Sequence, residues 1–173
     1  MVSTAPITVT SARRTATAYC YWDLVPSPFR SLCVAVDADG RLVEIRFDGH
    51  RPEGRRDAKR CKDAAKQLGE YFAGRRREFA LALAPYGTDF QLRVWRALCE
   101  IPFGAVRNYG DIANAIGQPN ACRAVGQANG RNPLPIVIPC HRVLASDGSI
   151  GGYSSGLDIK HRLLALEGVE LDL

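Results

Sequence analysis

Arg123-Ala124-Val125-Gly126-Gln127-Ala128-Asn129-Gly130-Arg131-Asn132-Pro133-Leu134-Pro135-Ile136-Val137-Ile138-Pro139-Cys140-His141-Arg142-Val143 is the stretch whose reading decides the fold. It opens inside a short helix, Ala121–Asn129, for which Asn120 is the candidate cap and Gly130 the stop. Pro133, Pro135 and Pro139 then forbid any regular helix. Between them Ile136-Val137-Ile138 reads as a short extended apolar run that leads into Pro139-Cys140-His141-Arg142. A helix thus delivers the chain, through a stiffened segment, to a cysteine flanked by a histidine and an arginine.

Working upstream, Gly110–Ile116 reads as another short helix closed by Gly117, so Gly110–Asn129 is a helix-turn-helix candidate. Before it, Thr88 and Gln91 form a capping-box signature. Phe90, Val94 and Leu98, with Trp95 beside them, mark the buried face of a helix that Ile101-Pro102-Phe103-Gly104 ends. Downstream, Ser146–Gly156 is a Gly/Ser loop. Leu157–Glu167 is a final helix with Ile159, Leu163, Leu164 and Leu166 apolar, stopped by Gly168.

The N-terminal half reads differently. Ser31–Asp37 and Arg41–Phe47 alternate as two strands of a hairpin, with Gly40 at a positive-φ turn position. Gly49–Arg56 is a polar loop. Asp57–Ala73 is a helix whose Ala58, Cys61, Ala65, Leu68 and Phe72 step along one stripe, with Gly74 suited to follow it. The charges of Arg55–Lys66 lie mainly off that stripe and read as a solvated face. Arg76–Leu83 is a further strand candidate, and Pro85-Tyr86-Gly87 a boundary. The organisation is therefore α+β: a tail at 1–18, an N-terminal α/β domain with a small antiparallel sheet at 19–84, and a mainly helical C-terminal domain at 85–173. The tail, rich in Thr, Ala and Ser with Arg13 and Arg14, reads as disordered and lacks a secretory apolar core.

The formal net charge of +5, with a pI of about 9.0, is compatible with a polyanion partner without requiring one. No apolar run is long enough to span a bilayer. Six cysteines, at 20, 33, 61, 99, 122 and 140, form no C-x-x-C pair, so free thiols in a reducing, cytoplasmic setting are expected. His50, His141 and His161 are scattered and show no zinc-ligand spacing, and no phosphate-binding glycine loop is present. Neither a metal nor a cofactor is expected.

A thiol becomes a nucleophile when an imidazole, a cation or a helix N-terminus favours its thiolate. His141 beside Cys140 moves the reading from a buried structural cysteine toward a functional one. Glu167 stands at the negative end of a helix dipole. By position alone it reads as a tolerated surface acid rather than as a partner for His141. Arg123, taken alone, is a solvated helix arginine.

Together these residues resemble the O6-alkylguanine-DNA alkyltransferases, or methylated-DNA–protein-cysteine methyltransferases, from about Thr88 to Gly168. The match rests on Arg123–Val143 above, on Phe103-Gly104-Ala105-Val106-Arg107-Asn108-Tyr109, and on Gly151-Gly152-Tyr153-Ser154-Ser155-Gly156-Leu157. It is looser over 19–84. The resemblance implies a ribonuclease H-like N-terminal domain and single-turnover repair of duplex DNA carrying O6-alkylguanine by a monomer without a cofactor. It implies that Cys140 is the nucleophile, that His141 takes its proton through a water, and that Glu167 orients His141. Asn132 would hold the turn before the cysteine. Tyr109 would donate to the leaving guanine and crowd a phosphate, and Arg123 would replace the flipped base. Tyr153, Ser154 and groups near Val143 would line the base pocket. Ala121, Gly126, Ala128 and Gly130 would let the second helix approach a narrow groove. A Cys140 thiol held below its ordinary pKa is the accompanying expectation. A cysteine hydrolase and a helix-turn-helix transcription factor without chemistry are the rival classes. A lesion-marking relative that lacks the cysteine is disfavoured by Cys140 itself.

Overall fold

The computed structural model describes residues 20–170; the expected 1–18 tail lies outside them. The chain parts between Tyr86 and Gly87 into two compact units.

The first unit is a four-stranded sheet with one helix. Strands β1 (Tyr21–Val25), β2 (Leu32–Val36) and β3 (Leu42–Arg46) form an antiparallel meander. β4 (Arg55–Arg56) adds in parallel to the free edge of β1, giving the order β3-β2-β1-β4. The β2–β3 turn follows the expected chemistry. Asp37 accepts from the backbone N–H groups of Asp39 and Arg41 and from Arg41 Nε at 3.0, 2.9 and 2.7 Å, and Gly40 has φ +79°. Helix α1 (Ala58–Phe72) starts at Asp57, whose carboxylate accepts from Arg60 N, and is followed by Gly74 at φ +69°. Its buried stripe is Cys61, Ala64, Leu68 and Tyr71. That stripe is rotated from the expected one: Ala58 is exposed, Ala65 is half-buried, and Phe72 lies half-buried edge-on to Phe29.

Three other expectations change in this unit. β1 and β4 were not legible, and β4 occupies the end of the predicted loop Gly49–Arg56. Arg76–Leu83 is not a strand. The Gln67 amide takes both backbone groups of Ala80, at 2.8 and 3.0 Å, and only Leu83 bridges to Leu42. The backbone groups that a ladder needs are thus partly spent on a side chain.

The second unit is mainly helical. Helix α2 (Asp89–Cys99) has the expected Thr88/Gln91 capping box and buries Leu92, Val94, Trp95 and Leu98; Phe90 is only half-buried. β5 (Arg107–Asn108) leads directly into α3 (Tyr109–Ala115), which Asn108 and Asp111 open with a second capping box. A turn connects α3 to α4 (Cys122–Gly130). Here Ala121, not Asn120, is the cap residue, and it makes no side-chain cap bond. Gly130 is the last helical residue and Arg131 the cap, so the helix ends one residue later than expected. The Trp95 indole donates to Ala128 O at 2.9 Å, fixing α2 against α4.

A 3₁₀ turn at Cys140–Arg142 and strand β6 (Val143–Leu144) follow, and α5 (Leu157–Leu166) ends the fold. β6 pairs with β5 in parallel, Arg107 against Val143 and Asn108 against Leu144. The start of α3 is thereby brought beside the end of the 3₁₀ turn.

Candidate active site

The segment before Cys140 is shaped by side-chain-to-backbone bonds rather than by a ladder. Asn132 Oδ1 accepts from Leu134 N at 2.9 Å and its Nδ2 donates to Ile138 O at 2.8 Å. Ile138 N donates to Leu134 O, and Cys140 N to Ile138 O, each at 2.8 Å. Within this turn Ile136 has φ +76°, the only positive φ among the described non-glycine residues. Asn129 Nδ2 reaches Cys140 O at 3.4 Å from the last turn of α4. The cysteine is thus held from both sides by buried amides, and is itself 2% exposed.

Behind it lies a buried polar cluster. Glu167 caps α5, and its carboxylate is saturated. Oε1 accepts from His141 Nε2 and Arg142 Nη2, both at 2.9 Å. Oε2 accepts from Arg142 Nε at 2.8 Å and from Gly104 N at 3.3 Å. Arg142 also donates to Ile101 O at 2.6 Å. Gly104 is required twice over: its φ is +76°, and a Cβ there would lie 3.1 Å from Glu167 O. Because Nε2 of His141 faces a carboxylate, it carries the proton. That leaves Nδ1 as the basic atom, with no hydrogen-bond partner among the described residues.

The ionisation of the cluster follows from these contacts. Burial alone would raise the Glu167 carboxyl, but hydrogen bonds and charge from His141 and Arg142 more than offset it and hold it well below the usual range. Burial pushes the His141 imidazole down; Glu167 opposes this, and the charges of Arg142 and Lys160 add to it. The site therefore holds a neutral imidazole, able to accept a proton. Burial pushes the Cys140 thiol up, against hydrogen bonds from Asn132 and Tyr153 and the charge of Lys160. This corrects the expectation of a lowered thiol: desolvation outweighs its neighbours, so the resting group is the thiol.

Lys160 is fully buried on α5. Its ammonium donates to Val143 O at 2.6 Å, to Ile150 O, and to Gly152 O at 3.5 Å. It ties the Gly/Ser loop to the end of the 3₁₀ turn, and burial lowers its pKa to about 8. Tyr109 opens α3 with its ring against Gly126 and Gly151. A Cβ on Gly126 would sit 3.8 Å from the ring, and one on Gly151 3.5 Å from the hydroxyl. Burial raises the phenol's pKa, and so does the proximity of Cys140.

Two family models divide the chain between them. The ribonuclease-like domain of 6-O-methylguanine DNA methyltransferase matches residues 20–85, and the DNA-binding domain of the same family matches 89–169. The methylated-DNA–protein-cysteine methyltransferase of Methanosarcina barkeri is 48% identical over 157 residues, covering 85% of this chain and 96% of the relative. This chain belongs to that family. The methylated-DNA–protein-cysteine methyltransferase of Mycolicibacterium paratuberculosis is 50% identical over 127 residues, covering 73% of this chain and 77% of its own. Among solved structures, Mycobacterium tuberculosis OGT in complex with DNA superposes with a TM-score of 0.81 at 43% identity, covering 85% of this chain and 92% of that one.

Set in this methyltransferase family, the sequence-predicted residues fall into two groups. Cys140, His141, Glu167, Asn132, Tyr109 and Tyr153 converge within the second unit. Arg123 and Gly130 are exposed on α4, Ala121 is half-exposed there, and Ser154 is exposed in the Gly/Ser loop. One assignment is corrected. Ala128 is 2% exposed and faces Trp95, so it packs α4 inward rather than lining a groove. Gly126 stays half-exposed on α4, beside the Tyr109 ring. Val143 is fully buried, and its carbonyl accepts from Lys160.

Sequence reasoning missed Arg142, Lys160 and Asn129 as members of the site. The charge of Arg142 beside Cys140 was a usable signal. A lysine inside the apolar spacing of α5 was another, since Ile159, Lys160, Leu163 and Leu164 share its buried side. Among the described residues no three His, Cys, Asp or Glu side chains gather as metal ligands, and no helix is long and apolar enough to cross a membrane.

Proposed function

We propose that the protein repairs duplex DNA by moving the alkyl group of O6-alkylguanine onto Cys140, once per molecule. The observation that carries this reading is the buried Cys140–His141–Glu167 arrangement, in which a neutral imidazole stands next to a rigidly mounted thiol. The sulfur attacks the alkyl carbon. An S–C bond forms as the C–O6 bond breaks, and the bonding pair leaves with O6. The thiol proton passes through water to His141 Nδ1, and the guanine regains one proton, for which Tyr109 is the assigned donor. The products are guanine and a thioether. A thioether offers water and thiols no ready leaving group, so the protein is not regenerated.

General-base removal of the proton is worth about 10²–10⁴ in rate. Glu167 supports it by fixing the tautomer of His141, and Arg142 by sharing the carboxylate so that the imidazole stays unprotonated. Asn132 and Asn129 position the sulfur. Reaction with a base in duplex DNA requires its extrusion. Exposed Arg123 on α4 is suited to fill the gap left behind, with α3 and α4 serving as the helix-turn-helix. Tyr153 and Ser154 are assigned to the base pocket. DNA binding is also supported by the likeness to the Mycobacterium tuberculosis structure in complex with DNA. We take the protein to act as a monomer in the cytoplasm.

Intact-protein mass spectrometry after incubation with an O6-methylguanine duplex tests the reading. One methyl group per chain, mapped to Cys140 and absent in Cys140→Ala, is the expected result. Repeated turnover, or a label on exposed Cys122, overturns it.

A further inference from the structure

The unit that holds the helix-turn-helix has no net charge. Residues 87–173 contain eight Lys and Arg against eight Asp and Glu, and two of those cations, Arg142 and Lys160, are buried. Residues 1–86 contain fifteen Lys and Arg against ten Asp and Glu, so the whole net charge of +5 resides there. Affinity for a duplex without regard to sequence comes mainly from cations that neutralise phosphates and release counterions. In this chain the excess of cations available for phosphate contact therefore lies in the first unit.

One place in the first unit is built for them. Residues 51–62 carry six Lys and Arg against two Asp and Glu, a net of +4 in twelve residues. β4 is the edge strand, and its register sets Arg55 beside Tyr21 and Arg56 beside Trp22. On one face of the sheet the guanidinium groups of Arg60 and Arg55 stand 4.1 and 5.9 Å from the Tyr21 ring centroid. On the other, those of Arg51 and Arg56 stand 5.5 and 6.0 Å from that of Trp22. Charges commonly blunt an exposed sheet edge, but that purpose does not require the guanidinium groups to be laid on rings. Contact with an aromatic face fixes the guanidinium plane and leaves its N–H edges outward, the geometry that suits bidentate phosphate contact.

The arginines stay available. Arg55, Arg56 and Arg60 are 74%, 62% and 43% exposed, and Arg51 is exposed. Their partners are Asp57 at 3.3 Å from Arg55, Asp23 at 2.7 Å from Arg56 and the Ala38 carbonyl at 3.0 Å from Arg60; with the arginine side of each ion pair exposed, such pairs hold their members weakly.

We propose that the β4 edge of the first unit, with Arg51, Arg55, Arg56 and Arg60 set against Tyr21 and Trp22, is a second binding surface for the phosphate backbone of double-stranded DNA. It reads no sequence, and it adds to the salt-sensitive part of the affinity. This replaces the solvated-face reading of the Arg55–Lys66 charges, and it rests on the DNA-repair function proposed above.

The test uses the full chain, with Arg51, Arg55, Arg56 and Arg60 all changed to Gln, and an unmodified duplex titrated across a range of salt. Each phosphate that is no longer neutralised makes the log–log salt slope shallower by about 0.9. The expected change is therefore about 2 to 4, with affinity at low salt down by at least tenfold. Single alkylation of Cys140 by free O6-benzylguanine, which needs no DNA, should keep its wild-type rate. A second variant with all four changed to Lys retains the charge and should retain most of the slope. A wild-type slope and affinity in the Gln variant overturn the proposal. So does a Lys variant as weak as the Gln variant, because the loss is then not electrostatic. Failure of Cys140 to be alkylated in the wild type overturns the repair reading instead and leaves the salt comparison standing.

Discussion

The two units bury different kinds of group. In the first, Asp37 is the one polar residue buried among those described, and it serves a turn. Its buried thiols, Cys33 and Cys61, are pushed up to about 11 and about 12 by desolvation and behave as small apolar residues. The second unit buries Asn129, Asn132, His141, Arg142, Lys160 and Glu167. A buried ion pair adds little net stability compared with an apolar core, yet losing one partner is costly. The first unit thus resembles an ordinary core, while the second gives up stability to hold a geometry. Perturbing the first should change stability and leave the reaction with a free base alone; perturbing the second should change both.

Glu167→Gln should show the largest effect. It leaves Arg142 buried without its anion, for an expected loss of about 3–5 kcal/mol in unfolding free energy. It also frees the His141 tautomer and should slow alkyl transfer by about 100-fold with unchanged DNA affinity. Its pH dependence has a definite sign. The native carboxyl lies below its unfolded value of about 4.3. Its contribution is therefore complete above that pH and is lost as the pH falls below it. Denaturant melts between pH 5 and 3 should fall steeply for the wild type and more gently for the variant. A variant with wild-type stability and rate breaks the contrast between the units.

Arg123→Ala sharpens the contrast inside the second unit, separating surface from cluster. Unstacking a base costs a few kcal/mol, so duplex repair should slow by about ten- to a hundredfold. Reaction with free O6-benzylguanine should stay within twofold of wild type. A parallel fall in both rates removes the base-replacing role. The smallest effect is expected from Asp57→Ala, which removes the α1 cap at a cost of about 1 kcal/mol. Its rate of alkylation by free O6-benzylguanine, at a temperature where it is folded, should equal wild type. A slowed rate would mean that the first unit takes part in the chemistry.

What was legible in the sequence was whatever local chemistry decides. Thr88 with Gln91, Gly74 after α1 and Gly40 in the hairpin all act within four residues, and all stand where they were expected. β4 was not legible, because Arg55 and Arg56 carry no strand pattern and gain their conformation from the free edge of β1. The Ala121 cap and the rotation of the α1 stripe likewise depend on what the helix meets, not on its own spacing. In the site, Cys140 and His141 stand out by adjacency. Glu167 is 25 residues from Arg142 and faces the wrong end of its own helix dipole. Only the resemblance singled it out, since a charge is tolerated in a core when a distant partner meets it there. Lys160 was missed for the same reason: three carbonyls from another segment satisfy it.

Ile136 has a thermodynamic consequence of its own. A β-branched residue at φ +76° is held in a region that costs about 1–3 kcal/mol. Its side chain is 1% exposed, and burying it returns about 1.5–3 kcal/mol. The two nearly cancel. This residue, four before Cys140, therefore adds almost nothing to the folding free energy and acts instead as a wedge. The bend it occupies is imposed by the Asn132 amide and the surrounding core, so the pose of the Cys140 sulfur is a property of the whole second unit and not of the tetrapeptide that contains it.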